Sequence, residues 1–306
     1  MREDPEDMEP TGTLASYEEP FADSSMLPSV LVSAFARKHV SVSLSGDAAD
    51  ELFGGYYRYQ VSHQFNRFSF LPLALRRMIS GTINMVLPSM AEERTLTRKL
   101  RRAAKPFGAD GIERYLDIIS RFPNDQRQSI YGPSMRTASL QTSAEFLKAK
   151  SGKELRHINE LIELELQTYL NDDILVKVDR ASMAHSLEVR SPFLDPTVVD
   201  FATSLPFSFK QSGGVRKRIL ADTFRDMLPP EIFARRKMGF GVPIASWLRT
   251  SWQARANELL LEGKRCKDGL FERRGLEQLL TAHQQKSADN SYAIYALMVL
   301  AIWLEK

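Results

Sequence analysis

Residues 27–37 (LPSVLVSAFAR) carry apolar side chains at helical spacing, which predicts a helix with one buried face. Pro28 falls in its first turn, where a missing N–H breaks no intrahelical bond. Residues 39–45 (HVSVSLS) then alternate apolar and small polar positions, the period-two signature of a strand. A Gly- and acid-rich loop starts abruptly at the end of that strand and runs through Gly46, Asp47, Asp50, Glu51, Gly54 and Gly55. Helix, strand and loop in this order are the layout of an α/β sheet, in which ligands bind beyond the carboxyl ends of the strands.

No second strand is convincing after Tyr59. Residues 155–170, 172–186, 215–228, 252–262 and 292–304 read as helices, the last mostly buried, and residues 65–136 carry further helical stretches. A single strand among so many helices makes an incomplete α/β domain, because a parallel sheet needs several strands covered on both faces. The other strands are expected ahead of residue 1. Residues 1–13 are polar, acidic and turn-rich and read as a mobile tail, leaving residues 14–306 as one partial domain.

Bulk composition narrows the class without naming a chemistry. The chain has 306 residues, 43% hydrophobic and 26% charged, with a net charge of +3, an excess too small to argue for nucleic acid. The basic cluster Arg94, Arg98, Lys99, Arg101, Arg102 and Lys105 has no interleaved aromatics and reads as a solvated helix face. The longest apolar run, residues 293–304, is shorter than the ~20 residues of a membrane span. A lone cysteine, Cys266, excludes an internal disulfide and fits a reducing cytoplasm; it matches no nucleophile motif and reads as incidental.

Chemistry concentrates in S-G-D-A-A-D-E at 45–51, where three carboxylates occupy five positions. Acids this close repel one another unless a cation, a basic partner or water offsets them. Spacing alone favours a hydrated turn. The alternative is a Mg²⁺–nucleotide site, since Mg²⁺ is held by one or two carboxylates together with substrate phosphates. Gly54 and Gly55 let the backbone turn, and residues 56–59 (YYRY) supply aromatic and cationic surface beside it.

The stretch S-G-D-A-A-D-E-L-F-G-G-Y at 45–56 resembles the S-G-[DE]-G-x-D-E-x-F-G-G-Y signature of the synthetase domain of the asparagine synthetase family. E-P-F-A-D-S-S at 19–25 is similar to the segment that precedes it in bacterial members. L-N-D-D-I-L-V-K-V-D-R at 170–180, S-M-A-H-S-L-E-V-R-S-P-F-L-D at 182–195 and R-R-K-M-G-F-G-V-P-I at 235–244 resemble the family's later stretches in the same order. The resemblance implies a pyrophosphatase-loop ATP domain of the adenine-nucleotide alpha-hydrolase-like kind. It implies adenylation of a carboxylate, aspartate's side chain in the parent enzyme, and then attack by glutamine-derived ammonia to give an amide and AMP. By the same match Ser45 and Gly46 line the ATP site, Asp47 acts near the intermediate, Asp50 binds Mg²⁺, Asp173 lies close to the substrate, and Lys237 stabilises developing charge. Glu188, Arg190 and Asp195 are expected to form a bracing ion-pair lattice, and His185 to be packed and hydrogen-bonded.

Departures from the pattern matter as much. Position 2 is Arg2 where the family's glutaminase has its catalytic cysteine, and no S-G-G-x-D-S pyrophosphate loop precedes Glu19. The only S-G-G, at 212–214, lacks the following Asp and Ser and falls where the family has a K-x-x-G-G-x-x-K stretch. A truncated or split gene product, completed by a separately encoded N-terminal half, is the expectation. Rival readings are a relative that amidates another carboxylate and a non-catalytic remnant. Ala48 replaces the usual Gly; a positive φ there costs on the order of 1–2 kcal/mol, so either the backbone differs or Ala48 sits at an ordinary φ.

Overall fold

The computed structural model describes residues 17–86, 96–138, 141–234, 239–263 and 268–305. Residues 1–13, Lys237 and Cys266 lie outside the described residues. So does Arg94; the rest of the basic cluster lies on the Leu96–Phe107 helix, where Lys105 is paired with Asp117 at 3.5 Å.

The expected first unit is present: a helix at Met26–Arg37 followed by strand β1, Val42–Leu44. A second strand, β2 at Glu188–Arg190, pairs with it in parallel, setting Val42 opposite Glu188, Ser43 opposite Val189 and Leu44 opposite Arg190. This corrects the one-strand reading. Three residues carrying one apolar side chain between two charges give no period-two signal, so β2 is invisible locally. The crossover between the strands contains about half the chain, against which the parallel pair is short. Its apolar surface is largely uncovered: Leu44 is 74% exposed, and Val42, Val40 and Phe35 are also exposed. A parallel sheet with bare faces lacks the layers that ordinarily cover such strands.

A ten-residue π-helical segment, Leu166–Leu175, joins the helices Ile158–Glu165 and Val176–Met183. The chain therefore does not break near residue 171; one helix runs through the L-N-D-D-I-L motif with a wider turn, a feature common at functional sites. The 215–228 helix is also corrected. Val215–Arg216 is strand β4, antiparallel to β3 at Gln211–Ser212 across the Gly213–Gly214 turn, and the helix spans Arg218–Thr223.

Burial is concentrated in three clusters. The largest gathers around the Ser291–Glu305 helix, where Tyr295, Met298 and Val299 pack against Trp252 and Leu276. A second joins Tyr59, Tyr115, Leu161 and Leu164. The third packs Ala48, Leu52 and Phe53 against Leu170 and Ala202, so the acidic loop is seated on the π-helical segment.

Glu165 connects the second cluster to the motif. It is fully buried and takes a two-point ion pair from Arg58 (Nε–Oε1 2.6 Å, Nη2–Oε2 2.8 Å). Tyr59 and Tyr115 donate their hydroxyls to the same carboxylate. Arg58 also lies 3.8 Å from the Tyr56 ring centre and 4.4 Å from that of Tyr169. Burial alone would lower the guanidinium's pKa, but Glu165 more than offsets it and the charge is retained. The Y-Y-R-Y run is thus mostly an interior network, not the surface expected of it, with Tyr57 the exposed exception. Glu165→Gln leaves Arg58 buried without a counter-charge and should cost about 3–5 kcal/mol. Urea unfolding would register this as a lower midpoint at constant slope, and adding Arg58→Met should recover part of the loss. A loss below about 1 kcal/mol, the range of exposed pairs, would show that the pair does not hold the Tyr57–Asn66 and Ile158–Glu165 helices together.

Candidate functional site

The acidic loop leaves β1 at its carboxyl end, as an α/β ligand loop should. Ser45 N–H continues the ladder to Arg190 O at 2.9 Å. The Ser45 hydroxyl donates to Asp47 Oδ2 at 2.8 Å and lies 2.9 Å from Ser191 Oγ on the neighbouring strand's exit. Gly46 is exposed, and a Cβ added there would meet nothing within 4 Å, so the backbone is open to close approach. Ser45, Gly46 and Asp47 are therefore gathered at one strand end.

Asp50 begins the other half of the loop. Its Oδ1 lies 3.1 Å from Lys217 Nζ. Gly55 is the reason they fit: a Cβ there would collide with the Asp50 carboxylate and come within 2.6 Å of Lys217 Cε. The adjacent Gly54 has φ +69° and packs against Lys210 and Gln211, whose amide donates to Gly54 O at 2.5 Å and to Tyr56 O at 3.0 Å. Lys210 is buried with no carboxylate partner among the described residues, and burial pushes its pKa down to about 8. Glu51 points inward instead of joining the acids: it is buried, accepts from Tyr56 Oη at 2.6 Å, and has its pKa raised by burial. Three crowded carboxylates are thus separated into one held by a serine, one by a lysine and one by a tyrosine.

Ala48 resolves the open question of the loop backbone. It is buried at φ +69°, so alanine occupies the left-handed conformation that glycine adopts without penalty. Its methyl group packs with Leu52 and Leu170, which offsets part of that strain.

Asp173 belongs to a second polar cluster. It hydrogen-bonds with Asp23, whose Oδ2 takes Lys177 Nζ at 2.6 Å and the Ser25 hydroxyl at 2.7 Å. Tyr17 donates to Lys177 O at 3.1 Å. Burial works against the Asp23 charge, yet Lys177 and Ser25 hold its carboxyl below the ordinary value. Burial and then Asp23 push Asp173 up to about 7, and its Oδ1 is a buried atom without a hydrogen-bond partner. Asp173 is linked to the loop through the π-helical segment, on which Leu170 and Ile174 touch the Ala48–Leu52 cluster.

Three other expectations fare differently. Glu188 and Arg190 pair at 2.7 Å on the surface, but Asp195 caps the next helix through Thr197 N–H at 2.9 Å, so there is no three-member lattice. The His185 Nε2 atom is buried without a hydrogen-bond partner, against the expectation that the ring is bonded. Ser212-Gly213-Gly214 is a hairpin turn, in keeping with its rejection as a phosphate loop. The residues not foreseen are Lys217, Ser191, Asp23 and Glu165. Lys217 had a signal, since it is the last lysine of the K-x-x-G-G-x-x-K stretch, whereas Asp23 and Glu165 acquire roles only through contacts distant in sequence.

Two outcomes test this description. Ala48→Val puts a β-branched residue at positive φ in a packed position and should destabilise the chain by at least about 2 kcal/mol; no change in the urea midpoint would mean that the loop has another backbone. The raised Asp173 pKa means the native state binds this proton more tightly than the unfolded chain, with its ordinary value of 3.8. Stability from this group is present below pH 4 and is lost as pH rises towards 7. Asp173→Asn should therefore match the wild type near pH 4 and exceed it above pH 7; a constant difference across that window would refute the shift.

The family model described as asparagine synthase matches residues 4–305. The chain is 31% identical over 290 residues to asparagine synthetase [glutamine-hydrolyzing] 1 of Bacillus subtilis (strain 168), covering 94% of this chain and 44% of that protein. It is 32% identical over 291 residues to a putative asparagine synthetase [glutamine-hydrolyzing] of Mycobacterium bovis, covering 94% and 42%. A shorter match, 38% over 110 residues, joins it to the asparagine synthetase [glutamine-hydrolyzing] of Gallus gallus. The chain thus spans less than half the length of the first two relatives. With the loop at the end of a parallel strand and the family model running across nearly all of its residues, the chain belongs to the asparagine synthase family.

Proposed function

We propose that this chain is part of an ATP-dependent amide ligase of the adenine-nucleotide alpha-hydrolase-like kind. ATP adenylates the aspartate side-chain carboxylate with loss of pyrophosphate, and ammonia from glutamine attacks the acyl-adenylate to give asparagine and AMP. One observation carries this reading: an acidic loop at the end of a parallel strand, with Asp50 paired to Lys217, occurs in a chain of the asparagine synthase family.

Each side chain then has a task. Ser45 and the open backbone at Gly46 line the nucleotide, and Asp47, oriented by Ser45, accepts a proton from or positions the incoming amine. Asp173 faces the substrate from the π-helical segment. Lys237 offsets charge developing on the adenylate and tetrahedral intermediate. No group of three acidic, histidine or cysteine side chains among the described residues is placed to cage a metal. Asp50 by itself fits an ion that arrives with phosphates, since Mg²⁺ favours one or two carboxylates plus phosphate oxygens. Such an ion neutralises phosphate charge, and Lys217 would then exchange Asp50 for a phosphate oxygen. We place this reaction in the cytoplasm, on small soluble substrates; no helix among the described residues is long and apolar enough to cross a membrane.

A further N-terminal half completes the proposal. The uncovered apolar surface of β1 and the share of the relatives left unmatched both support a further N-terminal region, in the same polypeptide or a second one, that supplies strands and the pyrophosphate loop. Supplied with ATP, aspartate and ammonium, the 306-residue chain should release no AMP; ammonium bypasses any need for glutaminase. Adding the N-terminal half of the Bacillus subtilis relative should restore aspartate-dependent ATP–pyrophosphate exchange. In that complex Asp50→Asn should lower exchange by at least about 100-fold with the fold unchanged. Undiminished exchange would remove Asp50 from the metal role, and asparagine formation by the chain alone would remove the need for a partner.

A further inference from the structure

A cavity of about 320 Å³ opens between the Tyr57–Asn66 helix and the β3–β4 hairpin. None of Ser45, Gly46, Asp47, Asp50 or Asp173 lines it. Its wall includes Arg67, Arg216, His63 and Phe207, with Gln and Ser side chains between them, and no Asp or Glu contributes. The buried or half-buried Arg58, Arg76 and Arg114, by contrast, all have carboxylate partners. Among the described residues Arg67 and Arg216 form no ion pair. Arg216 rests on a neutral acceptor, the Gly55 carbonyl, at a long 3.4 Å. The His63 ring lies 4.9 Å from Phe207, and burial, then Arg67, hold its pKa below the ordinary 6.5.

Two guanidinium groups sharing a concave, carboxylate-free wall create a positive potential with no internal counter-charge. Guanidinium forks suit the oxygens of a tetrahedral anion, to which each can donate two parallel hydrogen bonds. We propose that this cavity is an anion site that binds a phosphate group, either inorganic phosphate or a phosphate monoester, between Arg67 and Arg216.

Occupancy would be felt at the acidic loop. An anion that draws Arg216 inward competes with its contact to Gly55 O, and Arg216 is the neighbour of Lys217, which pairs with Asp50. Gln211, on the paired strand β3, holds Gly54 and Tyr56 through their carbonyls. The hairpin therefore connects the cavity to both glycines of the loop. Anion binding here does not rest on the proposed ligase reaction, and its test does not use catalysis.

The experiment titrates inorganic phosphate and AMP into the full 306-residue chain at low ionic strength, following the His63 imidazole by NMR. Both anions should raise the His63 pKa, because a nearby negative charge favours the imidazolium. Arg67→Gln and Arg216→Gln should each weaken binding about tenfold, while Arg216→Lys, which keeps the charge, should retain part of it. Arg225→Gln removes an exposed arginine elsewhere and should leave affinity unchanged. AMP binding more tightly than inorganic phosphate would assign the site to an ester; equal affinity would assign it to the free anion. An unresponsive His63, or equal weakening by Arg225→Gln and the cavity variants, would overturn the proposal.

Discussion

A single buried carboxylate organises the region around the motif. Glu165 has no access to solvent, so its charge is tolerable only because Arg58 meets it at two points and Tyr59 and Tyr115 donate to it. Arg58 in turn lies against Tyr56 and Tyr169, and Tyr56 donates to Glu51 at the far side of the loop. The turn through Gly54 and Gly55 is thereby fixed at its downstream end before any ligand arrives. At the upstream end the constraint is different: backbone pairing of β1 with β2 sets Ser45 beside Ser191. Order at one end comes from charge and at the other from the ladder, and the acids lie between.

What could be read from the chain follows from where the physical signal is stored. The helix at Met26–Arg37, strand β1 and the buried Ser291–Glu305 helix carry their own periodicity, and all three lie where the pattern placed them. Strand β2 has too few residues to show a period and exists because β1 offers a ladder. The π-helical turn is hidden for a related reason, since widening a helix by one residue leaves composition unchanged. In the site, Ser45, Gly46, Asp47 and Asp50 were legible because they are neighbours in sequence. The Asp23–Asp173 pair was not, since 149 intervening residues separate two carboxylates that only the fold brings together.

The loop also shows how a local conflict is settled. Alanine at positive φ opposes backbone preference at position 48, but a packed methyl group and a glycine pair downstream let the turn close. Asp50 and Lys217 occupy the space that any side chain at position 55 would need. Variation at 48 thus acts on backbone strain, whereas a side chain at 55 would have to displace the Asp50–Lys217 pair.

The wide turn at Leu166–Leu175 has a consequence for insertions and deletions. A helix advances about 100° per residue, so gaining or losing one position rotates everything beyond it by that angle. Here Tyr169 faces Arg58 while Asp173 and Lys177 face Asp23, and these partners lie on different elements. A one-residue deletion between Tyr169 and Asp173 could restore a regular helix yet turn Asp173 and Lys177 out of phase with Asp23. The segment works as a phase adjuster, setting the azimuth of the Asp173 carboxylate independently of the aromatic contact one turn before it.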